Sequence, residues 1–475
     1  MEQKISSNLA LNIKTLNKTL NIDKNFDIIY RVITIADREA CFYFVDGMNK
    51  DEIMERLMEF LYQIQNDDMP KTAQDMAKSL LPYGEVGMET DINKIIVSLL
   101  SGVPILVIDK FDKAITVDFR TYPARGVEEP DRDKVLRGSR DGFVETVVFN
   151  TSLIRRRIRN PELIMEITSV GDSSHTDIVL SYMNDRISHD FLNKIRQRVN
   201  ELQVDSLTMN TESLAEALYD RNWFNPFPKF KYTERPDTAA ASILEGSLVI
   251  IVDNSPSVMI LPATIFEIVE EADDYYFPPI TGTYLRLTRM FINLLALVFT
   301  PLWILLVANP EWVPTSLSFI LIDEEINIPP VIQLLILEFA IDGLKLASIN
   351  TPSTLSMPLS VVAGIVLGDY TVKSGWFNSE VMLYMAFVAI ANYTQASIEL
   401  SYALKFFRIL ILILTGVFGI WGFAVGIIFT VLSIACNKTV GGNSYLYPLI
   451  PFSGKELFRK IFRIPMSKAQ QREVK

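Results

Sequence analysis

The stretch SLLSGVPILVID at residues 98–109 returns as SILEGSLVIIVD at residues 242–253, with the serine, the glycine, the apolar run and the closing aspartate in register. Each copy reads as a helix that stops at a glycine and hands over to a buried strand. Outward from this pair, YFVDGMNKDEIMERL (43–57) aligns more loosely with SYMNDRISHDFLNKI (181–195). In the first copy the pattern predicts strands at 28–35 and 40–45, then a helix opening at Asn49 with Ile53, Leu57, Phe60 and Leu61 on one face. A helix at 92–100 leads into strands at 104–108 and 115–119. The second copy predicts strands at 164–168 and 177–183, a helix at 188–202 and the helix, glycine and strand of 242–253. The expectation is a pair of tandem duplicated α/β subdomains at 27–125 and 161–270, preceded by a tail at 1–26. A linking helix within 126–160 covers 142–158 and ends in Arg155, Arg156, Arg157 and Arg159. That run reads as a solvated face paired with acidic residues, or else as a membrane-surface or subunit contact.

The chain has 475 residues, 49% of them hydrophobic, and a mean hydropathy of +0.22, too apolar for an ordinary soluble average. The excess lies after residue 287, which predicts an α-helical transmembrane domain at 290–436 behind a juxtamembrane linker at 271–289. Arg286 and Arg289 precede a first span at 290–308. The following segment carries Glu311, Asp323, Glu324 and Glu325 without Lys or Arg, which the positive-inside rule places outside, so the N-terminal region faces inward. A second span at 330–349 is apolar except for Glu338, Asp342 and Lys345, whose spacing puts them on one helix face. Charges at bilayer depth cost a few kcal/mol each, so this face looks into protein or onto water, with the opposite charges pairing along it. It is either an ion-pair stripe that fixes packing or a polar stripe along an ion or solute path.

Residues 356–372, with Pro358, Gly364 and Gly368, suit a broken or re-entrant segment or a short tilted span. A helix at 381–400 places Asn392, Gln395 and Glu399 on one face, a second polar stripe able to complement the first. The last span, 409–435, carries Gly416, Gly419, Gly422 and Gly426, a pattern for close helix packing. The basic tail 437–475 includes an amphipathic stretch at 455–462 expected on the inner leaflet. About four full spans then bring both ends inside, but leave Lys405 and Arg408 facing outward between the last two helices, against the charge rule.

The polar start MEQKISSNLALNIKTLNK predicts no secretory signal peptide. A net charge of -11 argues against a nucleic-acid partner. Cys41 and Cys436 offer neither a disulfide framework nor a metal site, and His175 and His189 lack a partner cysteine or a nucleophile elbow. With no phosphate loop or dinucleotide fingerprint either, the expectation is no catalytic residue, no cofactor, no metal and no enzyme.

RGSRDGFVETVVFNTSLIRRRIRNPEL (137–163), NPFPKFKYTERPD (225–237), EGSLVIIVDNSP (245–256), EADDYY (271–276) and LEFAIDGLK (337–345) together resemble the GerA family, the A subunits of spore germinant receptors in endospore-forming bacteria. The family usually has proline and glutamate where Ser139 and Asp141 stand, and a Glu, Arg, Glu, Arg pattern on its second span where this chain has Glu338, Ile341, Asp342 and Lys345. These departures, with NYTQASIELSYALKF, look most like the stage V sporulation protein AF branch, which leaves open a nutrient receptor or an accessory germination complex. The resemblance implies a multi-pass protein of the inner spore membrane, its N-terminal domain facing the cytoplasm or spore core. It implies a homo-oligomeric channel for monovalent cations that works with a transporter-like B-type membrane subunit and other germination proteins. On that reading Glu338, Asp342 and Glu399 supply negative charge, and Val361 and Val362 form an apolar constriction. The competing expectation is a non-conducting scaffold that gathers germinant-receptor partners.

Overall fold

The computed structural model describes residues 4–122, 134–219, 224–351, 364, 368 and 370–464. It divides into two compact units, one of residues 1–221 with 230–262, the other of residues 222–229 with 263–475.

The first unit holds two five-stranded antiparallel sheets built to one plan. Helix α1 (Leu9–Thr19) precedes strands β1 (Ile28–Ile35) and β2 (Arg38–Val45); α2 (Asp51–Gln63), β3 (Val86–Glu89), α3 (Ile92–Leu100), β4 (Ile105–Ile108) and β5 (Ala114–Val117) follow. The second series is α4 (Val147–Arg157), β6 (Leu163–Val170), β7 (Thr176–Met183), α5 (His189–Asn200), α6 (Thr211–Leu218), β8 (Lys231–Thr233), α7 (Pro236–Glu245), β9 (Leu248–Val252) and β10 (Val258–Leu261). Strand order is β1-β2-β4-β5-β3 in one sheet and β6-β7-β9-β10-β8 in the other. Register repeats as well: Cys41 lies opposite Val107, and Val179 opposite Ile251. The repeated glycine has a physical reason, since Gly102 and Gly246 take φ of 92° and 99°, the left-handed region that closes a helix before a strand. Apolar side chains of α1 and α3 cover one face of the first sheet and those of α2 the other.

The repeat is larger than the letters suggest. Buried Asn12 and Asn150 each bond back to the main chain six residues earlier: Ser6 N–H donates to Asn12 Oδ1 (2.9 Å), and Val144 N–H donates to Asn150 Oδ1 (2.8 Å). The closing aspartates accept from the first turns of the matching helices, Asp109 Oδ1 from Leu9 N–H (3.3 Å) and Asp253 Oδ1 from Val147 N–H (3.0 Å). The expected tail at 1–26 and the expected linking helix are therefore corrected: α1 and α4 are the equivalent first helices of the two copies. Edge strands β3 and β8 are further elements that the sequence pattern did not mark.

The arginine run pairs with acidic residues and leaves Arg156 and Arg159 exposed, as expected, but is corrected at Arg155. Arg155 is fully buried, its Nε donating to Asp27 Oδ2 (2.8 Å) and its Nη2 to Asp27 Oδ1 (2.9 Å), with Nη1 on the Leu163 carbonyl (3.1 Å). A bidentate pair of this kind fixes the second copy to the segment entering β1. Arg156 lies over the Tyr122 ring (4.3 Å to its centroid), and Arg157 pairs with Asp141 (2.5 Å). Burial pushes the Asp141 carboxyl up, but hydrogen bonds from Arg157 and Ser139 outweigh it and hold the group below its ordinary range.

The second unit is helical. Helix α8 (Pro279–Ala308) takes in most of the expected linker, so Arg286 and Arg289 lie within it. Helices α9 (Pro330–Asn350), α10 (Ser379–Tyr393), α11 (Ile398–Ala435) and α12 (Gly454–Ile461) follow. Among the described residues, α8 and α11 are the helices long and apolar enough to cross a membrane. The expected last span is corrected, because α11 is a hairpin. Gly419 breaks the helix at φ 57°, ψ -134°, a Cβ on Gly422 would fall 1.8 Å from the Leu414 carbonyl oxygen, and one on Gly426 3.0 Å from Ile411. The arm 420–435 thus runs back along the arm 398–418, and Phe407 meets Phe429 (6.1 Å between ring centroids).

Gln333 and Asn378 bond one another (Nε2 to Oδ1, 2.8 Å; Asn378 N–H to Gln333 Oε1, 2.9 Å), so α9 and α10 start at the same end and run parallel. The hairpin turn lies at that end as well, since a Cβ on Gly416 would touch Val331 (2.9 Å). Of the expected re-entrant segment at 356–372 only 364, 368 and 370–372 are among the described residues, and the expected constriction at Val361 and Val362 lies outside them.

Candidate functional site

Helix α9 is apolar along most of its length, so its ionisable side chains need partners, and these come from the first arm of α11. Arg408 Nε donates to Glu338 Oε1 (2.7 Å). Lys405 Nζ lies 3.3 Å from Glu338 Oε2 and 2.6 Å from Asp342 Oδ2, and donates to the Glu338 carbonyl (3.0 Å). Arg408 also donates through Nη1 to the Ala296 carbonyl of α8 (2.6 Å) and to Asn392 Oδ1 of α10 (3.4 Å). One guanidinium therefore ties four helices together. The side chains of Arg408 and Glu338 are 0% and 4% exposed, whereas Asp342, one turn further along, is 34% exposed.

The cluster holds a carboxylate for each cation and is neutral as a group. This corrects the expectation that opposite charges pair along α9. Lys345 does not pair with Asp342; its ammonium lies over the Tyr402 ring of α11 (4.6 Å to the centroid). Lys405 and Arg408 are corrected as well, from loop residues to buried members of a helix. Their spacing of three on an apolar helix face, matching the spacing of four between Glu338 and Asp342, was the signal available in the sequence.

The second polar stripe does not form. Residues 394–397 separate α10 from α11, where Ser397 caps the new helix by accepting from Leu400 N–H (3.2 Å). Asn392 ends in the charge cluster, Glu399 opens α11, and Gln395 lies between the helices. The Gln395 amide is buried without a hydrogen-bond partner, beside a cavity of about 10 Å³ lined by Arg289, Asn293 and Ser397. That is room for one water. Gly416 packs on α9, and Gly422 and Gly426 pack on the opposite arm of their own hairpin.

Phe227 and Lys229 of the NPFPKF stretch pack against the helical unit. Phe227 stacks on Phe407 (5.2 Å), and buried Lys229 donates to Asn437 Oδ1 and to the Lys438 carbonyl (2.5 Å). Burial pulls the Lys229 ammonium down to about 8. Burial also pushes the Cys41 thiol up to about 12, so that sulfur stays protonated and unreactive. No group of three or more metal-ligating side chains occurs among the described residues.

A family model described as Bacillus/Clostridium GerA spore germination protein matches residues 14–475. Stage V sporulation protein AF of Bacillus subtilis (strain 168) is 35% identical over 97% of this chain and 93% of its own length. Spore germination protein KA of the same organism is 28% identical over 97% and 85%, and spore germination protein GerLA of Bacillus cereus 26% identical over 94% and 91%. Among solved structures, the N-terminal domain of the A subunit of the Bacillus megaterium spore germinant receptor GerK3 aligns with 55% of this chain and 98% of its own, at 23% identity and a TM-score of 0.42.

Proposed function

The chain belongs to the GerA family of spore germination proteins, and from there we propose that it is a membrane subunit of a spore germination complex that conducts monovalent cations between copies of itself. The observation that supports the conducting reading is the change in exposure along α9. Glu338 is sealed at 4%, while Asp342 stands 34% open at the rim of the cluster, with Lys345 a turn beyond it. Within one copy the cluster is packed shut. A path would therefore run between copies, past the open half of α9, with Asp342 supplying field and Glu338 and Arg408 holding the helix in place.

In the same layout Lys405 and Arg408 no longer violate the charge rule, because they lie within α11 and not in a loop. The setting in the inner spore membrane and a B-type partner subunit are part of this proposal.

A second reading, a non-conducting scaffold, is favoured by the neutrality of the cluster, since mutually paired charges are what helix packing alone requires. Potassium flux from liposomes containing the purified oligomer, with and without its B-type partner, separates the two. Flux above that of protein-free liposomes supports conduction; none in either case, from a verified oligomer, leaves the scaffold.

A further inference from the structure

Helix α12 is built against the start of α8, and the contacts that hold it are polar. Arg286, 2% exposed, donates through Nη1 to the carbonyls of Arg459 (3.2 Å) and Lys460 (2.9 Å), last-turn groups that lack intrahelical partners. Lys460 pairs with Glu267 (3.1 Å) and Glu270 (3.7 Å). Beyond the helix, Arg463 Nη2 donates to the Tyr275 carbonyl (2.7 Å). The amphipathic helix is thereby fixed while its aromatic side chains stay uncovered: Phe458 is 55% exposed and Phe462 40%, stacked on each other (4.8 Å), and Ile280 in the first turn of α8 is 81% exposed. Between them runs an open groove of about 860 Å³ whose walls include Ile280, Phe458 and Phe462 together with Lys455, Arg459 and Arg463, and no carboxylate.

We propose that this groove binds one anionic phospholipid, its phosphodiester held by Lys455, Arg459 and Arg463 and its acyl chains lying against Ile280, Phe458 and Phe462. The walls argue for a lipid over a soluble phosphate, because a free anion gains nothing from three exposed apolar side chains. Position argues the same way, because the groove lies at the first turn of a helix that continues into an apolar stretch long enough to cross a membrane. The inference rests on the membrane reading given above. Arg286 is the positioning residue: it holds the α12 carbonyls and does not line the groove.

The test is native mass spectrometry of the delipidated full-length protein in neutral detergent, titrated with phosphatidylglycerol or with phosphatidylcholine of the same acyl chains. Wild type is expected to prefer phosphatidylglycerol by roughly tenfold or more, and Lys455→Gln with Arg459→Gln to lose most of that preference. Glu456→Gln, which removes the carboxylate 3.0 Å from Arg459, is expected to keep or raise it. Equal retention of the two lipids by wild type, undiminished preference in the double variant, or loss of preference in Glu456→Gln overturns the site. Displacement of phosphatidylglycerol by glycerol phosphate assigns the cations to a soluble anion and overturns it too. Resistance to alkaline extraction from phosphatidylcholine vesicles is read in parallel. Lost selectivity with insertion intact removes this site alone, whereas failure to insert removes the membrane reading and this site with it.

Discussion

Arg408 shows how one buried charge organises its surroundings. Its guanidinium meets Glu338, the Ala296 carbonyl and Asn392 at once, so removing Glu338 leaves a cation buried without its main counter-charge. Glu338→Gln is expected to cost about 3–5 kcal/mol of stability, and Glu338→Gln with Arg408→Gln to recover much of it, as read by thermal unfolding in detergent. Lys229 gives a pH signature. Because burial lowers its ammonium to about 8, the unfolded chain holds that proton more tightly than the folded one. Stability therefore rises as pH climbs from about 8 towards roughly 10.4, and the cost is fully present below that window. Melting temperatures at about pH 7.5 and about pH 9.5 should show this gain in wild type relative to Lys229→Met. Glu338, Asp342 and Lys345 were legible because ionisable groups stand out in an apolar run. Lys405 and Arg408 were not, because the polar NYTQASIELSY before them reads as a boundary between spans.

At the scale of elements, the hairpin of α11 carries the sharpest prediction. A methyl on Gly422 has no room against the Leu414 carbonyl, whereas nothing lies within 4 Å of one added to Gly343 on α9. Gly422→Ala should cost on the order of 3 kcal/mol and loosen the hairpin, measured as faster amide exchange over 405–430, while Gly343→Ala should be neutral or slightly stabilising. Hydropathy could not reveal the turn, since the apolar run continues without a charge from Ile409 through the turn to Ala435 and the single left-handed glycine sits among glycines that serve packing. The strands and helices of the repeat were legible where periodicity and a glycine stop coincided. Edge strands β3 and β8 were not, being four and three residues long, β3 only partly buried and β8 with Thr233 as its one buried side chain. Helices α1 and α4 were read as tail and linker because their equivalence rests on single asparagine bonds, Asn12 and Asn150, rather than on a shared apolar pattern.

For the whole molecule, the two sheets of the first unit share strand order and register, and Arg155 joins the second copy to the entry of the first. Membership of a spore germination family was legible from motifs between residues 137 and 406, and the family match extends over residues 14–475. Direction of the helices was not legible, because the parallel run of α9 and α10 depends on one amide pair, Gln333 with Asn378, that no hydropathy window detects. The conducting reading stands or falls on the open half of α9. Its most direct test is the reversal potential of the reconstituted oligomer across a planar bilayer under a potassium chloride gradient, wild type against Asp342→Asn. The account predicts a cation-selective potential in wild type that moves towards zero in Asp342→Asn with current retained. An identical potential in the two proteins, or no current from a verified oligomer with its partner present, would contradict it.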